Sequence, residues 1–166
     1  MLPITIPPTI LSKGPCVIAN IGPSNQGKTQ SIKDAFTILS WAYPTHLNII
    51  INDSDVKATL RINGRLVGIE SQGDPTPGTM SRMEKSMEEF RKLGCDIILT
   101  ASRASGYTFD ALENLRTQSG YTLITVQNPR VYLNLTAPYN PIRDNLNGHG
   151  GMYFAKLVED IAFGKI

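Results

Sequence analysis

Short apolar runs alternate with amphipathic stretches along most of the chain. Cys16-Val-Ile-Ala-Asn-Ile21 is the first run, continuous enough for a strand buried on both faces. Residues 28–41 then place Ile32, Ala35, Phe36 and Leu39 at helical spacing, and Pro44 stops that helix. A second buried strand is expected over 47–51, ending in the polar Asn52-Asp-Ser-Asp55. Next, Val56, Ala58, Leu60 and Ile62 alternate with Lys57, Thr59, Arg61 and Asn63, the period of a strand with one wet face. Asn63-Gly64 is a two-residue hairpin signal. The returning strand, 65–70, is more continuously apolar and should lie deeper in the sheet, before the breaker-rich stretch 71–78.

In the second half, Met80, Met83, Met87, Phe90 and Leu93 share one face of an expected helix, with Gly94 just past its end. A buried strand over 95–100, a polar loop over 101–107, a helix over 109–118 and a strand over 121–126 follow. The Pro-broken stretch 128–141 suggests no element, and Gly148-His-Gly-Gly151 is expected to separate it from a last helix over 152–163. Strands alternating with helices, plus one antiparallel hairpin, predict an α/β fold. The expected architecture is a three-layer α/β/α sandwich with a mostly parallel sheet, formed as one domain over residues 1–166.

Composition changes this picture little. The 166 residues are 41% hydrophobic and 18% charged, ordinary for a globular protein with a sizeable core. No apolar run approaches the ~20 residues of a membrane-spanning helix. Residues 1–10 carry three prolines and no basic region, which argues against a secretory signal. Cys16 and Cys95 each open an apolar run and read as buried free thiols, so the cytoplasm is the expected location. The net charge of +2 comes from scattered residues with no basic stripe, so no nucleic-acid or membrane partner is implied.

The chemistry is concentrated in Gly22-Pro23-Ser24-Asn25-Gln26-Gly27-Lys28-Thr29, which fits G-x-x-x-x-G-K-[ST]. Successive backbone N–H groups of such a loop curl around a β-phosphate, and the following helix aims its positive end at it. Gly27 lets the backbone approach, Lys28 reaches the β- and γ-phosphates, and the Thr29 hydroxyl coordinates Mg²⁺. With a buried strand before it and an amphipathic helix after it, the segment resembles the Walker A loop of P-loop NTPases. A glycine turn with an exposed lysine is the lesser reading. Asn25 stands where some potassium-activated GTPases carry an Asn that helps hold a monovalent cation, so the resemblance brings K⁺ in as a candidate; the plainer role of an Asn there is to satisfy the turn.

Such enzymes need a second carboxylate at a neighbouring strand end, to hold the magnesium's water shell or orient the attacking water. Glu70 closes the run Leu66-Val-Gly-Ile69, and Glu70-Ser-Gln-Gly-Asp74 resembles the D-x-x-G switch turn of GTPases with Glu in place of Asp. On that resemblance Gln72 positions water, Gly73 supplies a backbone N–H to the γ-phosphate, and Asp74 is the fallback acid for the metal. Asp53 and Asp55 follow another strand end and are weaker metal candidates. The guanine-reading N-K-x-D motif has no match in Thr100-Ala-Ser-Arg103 or Gln127-Asn-Pro-Arg130, so ATP is expected, with GTP not excluded. Arg103, in a loop expected to act as a lid, is the first choice to meet charge on the transferred phosphoryl group, and Arg130 the second. His46 and His149 have no partner at metal-ligand spacing.

Three functions fit these residues. The first is Mg²⁺-dependent ATP hydrolysis that switches the loop 71–78. The second is a small kinase, against which stands the lack of a multi-arginine lid. The third is a nucleotide sensor that reports to another protein. Single-domain P-loop proteins often complete their sites with a neighbour, so the resemblance also brings in a homodimer.

Overall fold

The computed structural model describes residues 14–22, 27–52, 55–73, 82–127 and 140–166. Ten elements follow in chain order: β1 (Cys16–Ile21), α1 (Lys28–Ala42), β2 (His46–Asn52), β3 (Asp55–Ile62), β4 (Arg65–Glu70), α2 (Arg82–Leu93), β5 (Ile97–Ser102), α3 (Tyr107–Ser119), β6 (Thr122–Gln127) and α4 (Asn140–Ala162). The strands form one sheet in the order β2-β3-β4-β5-β1-β6. β4, β5, β1 and β6 are parallel, while β3 runs antiparallel to both β2 and β4. Where one antiparallel hairpin is expected from sequence, the structure has a three-stranded meander.

The local causes are visible. Asn63 and Gly64 take φ of 50° and 76°, the left-handed pair that a type I′ turn requires, and the hairpin register follows with Ile62 opposite Arg65. β1, β4 and β5 are buried along nearly their whole length, as their unbroken apolar runs imply.

Side chains alternate between two faces of the sheet. On one face Cys16, Ile18, Leu60, Ile69 and Leu99 pack with Ile32 and Leu39 of α1 and Phe154 and Val158 of α4. On the other, Val17, Ala19, Leu66 and Ile98 pack with Met83, Met87 and Phe90 of α2 and Leu112 and Leu115 of α3. The sheet thus lies between two helical layers. Among the described residues no helix is long and apolar enough to cross a membrane.

Two expectations need correction. Gly148 to Gly151 do not precede the last helix; they lie inside α4. The reason is a close crossing: Gly151 is buried where α4 meets α1, and a Cβ there would stand 2.5 Å from Asp34 Cβ and 3.1 Å from Ala35 N. Leu93 is not on the buried face of α2 but 60% exposed. Gly94, at φ 73°, ends that helix, and Cys95 N–H donates to Phe90 O at 2.9 Å, so Cys95 takes the covered position.

Candidate functional site

The C-terminal ends of the parallel strands carry the candidate chemistry. β1 leads to α1 on one face of the sheet, whereas its neighbour β5 leads to α3 on the other. Adjacent parallel strands whose connections leave to opposite faces open a crevice between them, the usual ligand position in such sheets. Gly22 lies at this crevice, and its N–H donates to the Ser102 carbonyl oxygen at 3.2 Å.

Gly27 is at the N-cap of α1 in the left-handed conformation, φ 74° and ψ 10°, which a residue with a Cβ enters only at a cost. Lys28 is the first helical residue and is only 6% exposed, and Thr29 beside it is half-buried. No acidic residue stands in the first turn of α1. A buried ammonium at the positive end of a helix, with no carboxylate in that turn, favours an anion. Pro23, Ser24, Asn25 and Gln26 lie outside the described residues, as do Asp53, Asp74 and Arg130.

At the end of β4, Glu70 is fully buried. Its Oε1 accepts from Gln72 N–H at 3.0 Å, and its Oε2 from Ser86 Oγ–H at 2.6 Å and Arg82 Nε–H at 3.1 Å. Burial pushes the carboxyl's pKa upward, and the Ser86, Gln72 and Arg82 contacts only partly offset it. One strand, β5, separates β4 from β1, a lateral distance of about 10 Å at ordinary strand spacing. The chain after Glu70 approaches β5 closely: a Cβ on Gly73 would stand 2.7 Å from the backbone carbon and oxygen of Ala101. Gly73 therefore has a packing role irrespective of any ligand. Gln72 is half-buried, and its Oε1 has no hydrogen-bond partner among the described residues.

Asp55 is occupied otherwise. It accepts from Ser71 Oγ–H at 2.9 Å, and Ser71 Oγ accepts from Val56 N–H at 2.8 Å, a clip between β3 and the end of β4. Lys57 stands opposite Glu70 in the ladder but pairs with Glu89 and lies over the Phe90 ring.

The expected lid is shorter than the sequence suggests. β5 runs through Ser102 and α3 starts at Tyr107, leaving a turn of residues 103–106. Ser102 Oγ–H donates to the Arg103 carbonyl at 2.8 Å and lies 3.1 Å from Thr108 Oγ1, which accepts from Arg103 N–H at 3.4 Å. Arg103 is exposed on this turn, and Asp110 stands in the first turn of α3.

Arg82 and Ser86 were not foreseen. The signal was present: Ser86 is a polar residue one turn from Met83 on the apolar face of a helix, a place where a buried hydroxyl needs a partner. Cys16 and Cys95 are buried and unpaired, with burial pushing their thiols up to about 11 and about 12. Burial keeps both in the thiol form, the less reactive one.

Among the described residues no group of three or more His, Cys, Asp and Glu side chains could hold a metal. Magnesium bound through phosphates, waters and one hydroxyl needs no such group. An open cleft of about 390 Å³ between α2 and α3 is lined by Glu84, Glu88 and Asp110 against Arg91. That charge balance suits no triphosphate. Comparison with models of known families, with curated proteins and with solved structures finds no match for this chain.

Proposed function

We propose that the chain binds a nucleoside triphosphate, ATP first, with Mg²⁺ at the loop Gly22–Thr29 and hydrolyses its γ-phosphate. The observation that carries this reading is the start of α1. There a left-handed glycine precedes a buried lysine, on a helix with no acidic residue in its first turn, beside the crevice between β1 and β5. Lys28 would meet the β- and γ-phosphates, and Thr29 would hold the metal through its hydroxyl. Bound magnesium would supply charge neutralisation at the phosphate oxygens.

In the reaction, water attacks the γ-phosphorus in line. The bond to the bridging oxygen breaks, and its electron pair leaves with the nucleoside diphosphate. The water's proton passes to the Glu70 carboxylate, with Gln72 beside it to orient the nucleophile. The Ser71–Asp55 clip fixes the backbone of β4 just beyond Glu70, which limits the freedom of that acid.

Calorimetry with Mg²⁺ and each of ATP, GTP, CTP and UTP tests the binding half. ATP is expected to associate and Lys28→Ala to lose it; no heat with any of the four would end the reading. Release of inorganic phosphate without an acceptor tests the hydrolytic half, and transfer to an added nucleotide would replace it with a kinase. Rates that are equal in KCl and NaCl would remove the cation role for Asn25.

A further inference from the structure

Glu70 is held from a helix rather than from the sheet that carries it. Arg82 and Ser86 are one turn apart on α2 and both donate to the same oxygen, Oε2, while the Gln72 N–H takes Oε1. Among the described residues, the strands beside Glu70 offer it no cation that is not already paired. Lys57 of β3 is engaged by Glu89, and the β5 residue beside Glu70 in register is the uncharged Thr100.

The helix itself is seated firmly. Gly68 has no Cβ where one would stand 2.7 Å from the Phe90 ring, so α2 rests directly on the backbone of β4 two residues before Glu70. Ser86, Met83, Met87 and Phe90 are all buried on that face. Two polar atoms of the cluster remain buried with no hydrogen-bond partner among the described residues, Arg82 Nη2 and Gln72 Oε1. One donor and one acceptor left over on residues that hold an ordered carboxylate are costly in a purely structural clamp. Water, which both donates and accepts, can satisfy the pair.

We infer that Arg82 and Ser86 are positioning residues for the hydrolysis proposed above, on which this inference rests: from α2 they fix Glu70, and through its contact with the Gln72 amide they fix the place of the attacking water. They touch neither nucleotide nor metal in this role. Their effect therefore falls on turnover and not on binding.

The experiment is steady-state hydrolysis of Mg-ATP by the full chain, with nucleotide affinity measured separately. Arg82→Gln is expected to lower kcat by about 10- to 100-fold, the cost of misplacing a reacting group, with KM and Kd held within about twofold. Ser86→Ala, which removes one hydroxyl, is expected to lower kcat in the same direction, and Arg82→Lys to recover part of the Arg82→Gln loss. In a Glu70→Gln background, Arg82→Gln should cost no further turnover, because it acts through that carboxylate. An unchanged kcat in Arg82→Gln, or the same fold loss in both backgrounds, overturns the inference. If Arg82→Gln fails to fold, Ser86→Ala and Arg82→Lys decide by the same criteria. A wild-type chain that binds Mg-ATP yet releases no phosphate removes the hydrolytic reading and this one with it. Normal wild-type turnover with unaffected variants removes this one alone.

Discussion

Two helix starts, those of α1 and α3, follow neighbouring strands of the sheet, and they carry opposite charges. The β5–α3 turn spends its polar groups on itself: Ser102, Thr108 and the Arg103 backbone bind one another, and Asp110 places a carboxylate in the first turn of α3. A carboxylate at that position already answers the positive end of the helix. The start of α1 carries a different set of charges. It sets a buried lysine at the positive end of α1 and leaves that first turn without an acid. The two helix starts thus differ in a few side chains: one carries an acid in its first turn, the other a buried lysine and no acid there.

The contrast can be broken first at its strongest point. Lys28→Ala is expected to weaken Mg-ATP binding by about 100-fold, the loss of charge-assisted hydrogen bonds. Arg103→Ala, in the other turn, should keep affinity within about twofold, as surface changes usually do. Calorimetry on the two variants reads the difference, and equal losses would erase the distinction between the turns.

A second test asks how far the cradle depends on the packing beneath it. Gly151→Ala forces a Cβ against Asp34 and the backbone at Ala35, so stability should fall by about 1–3 kcal/mol. Affinity should hold, because the crossing lies well along α1 from Lys28. Gly148→Ala has open space and should instead gain about 0.5–1 kcal/mol in the helix. Denaturant melts of both variants give the two signs; a loss in both would mean that the second glycine too is needed for packing.

The smallest expected effects exchange the charge pattern of the turns. Gln30→Glu puts an acid in the first turn of α1, where it competes with a phosphate for the helix end. Affinity for ATP should drop about two- to fivefold, equivalent to about 0.3–1 kcal/mol. Stability should hardly change, since the new charge also faces Asp34 one turn on, to which Gln30 now donates at 2.8 Å. Asp110→Asn should do the converse, costing about 0.3–1 kcal/mol of stability with no change in nucleotide affinity. A loss of affinity in Asp110→Asn would show that α3 takes part in the site.

Much of this arrangement was legible in the residues themselves. β1 and the start of α1 follow from an apolar run, a glycine-bounded loop and helical spacing, all local signals. The Asn63-Gly64 turn is equally local, since the backbone it needs is one that few other pairs adopt. Gly148 to Gly151 misled because glycine clusters usually break helices, whereas here tertiary contact with α1 outweighs propensity. Arg82 and Ser86 went unread because their meaning depends on Glu70, 12 and 16 residues away and on another element.

The sequence by itself determined α1, α2 and α3, most strand positions and the composition of the glycine loop, because these rest on contacts between near neighbours in the chain. Only the tertiary structure decided that β5 lies between β1 and β4, so that Glu70 stands a strand away from the loop and is held from α2. The order of parallel strands is set by how whole layers cover both faces of a sheet, and no short stretch of residues carries that information.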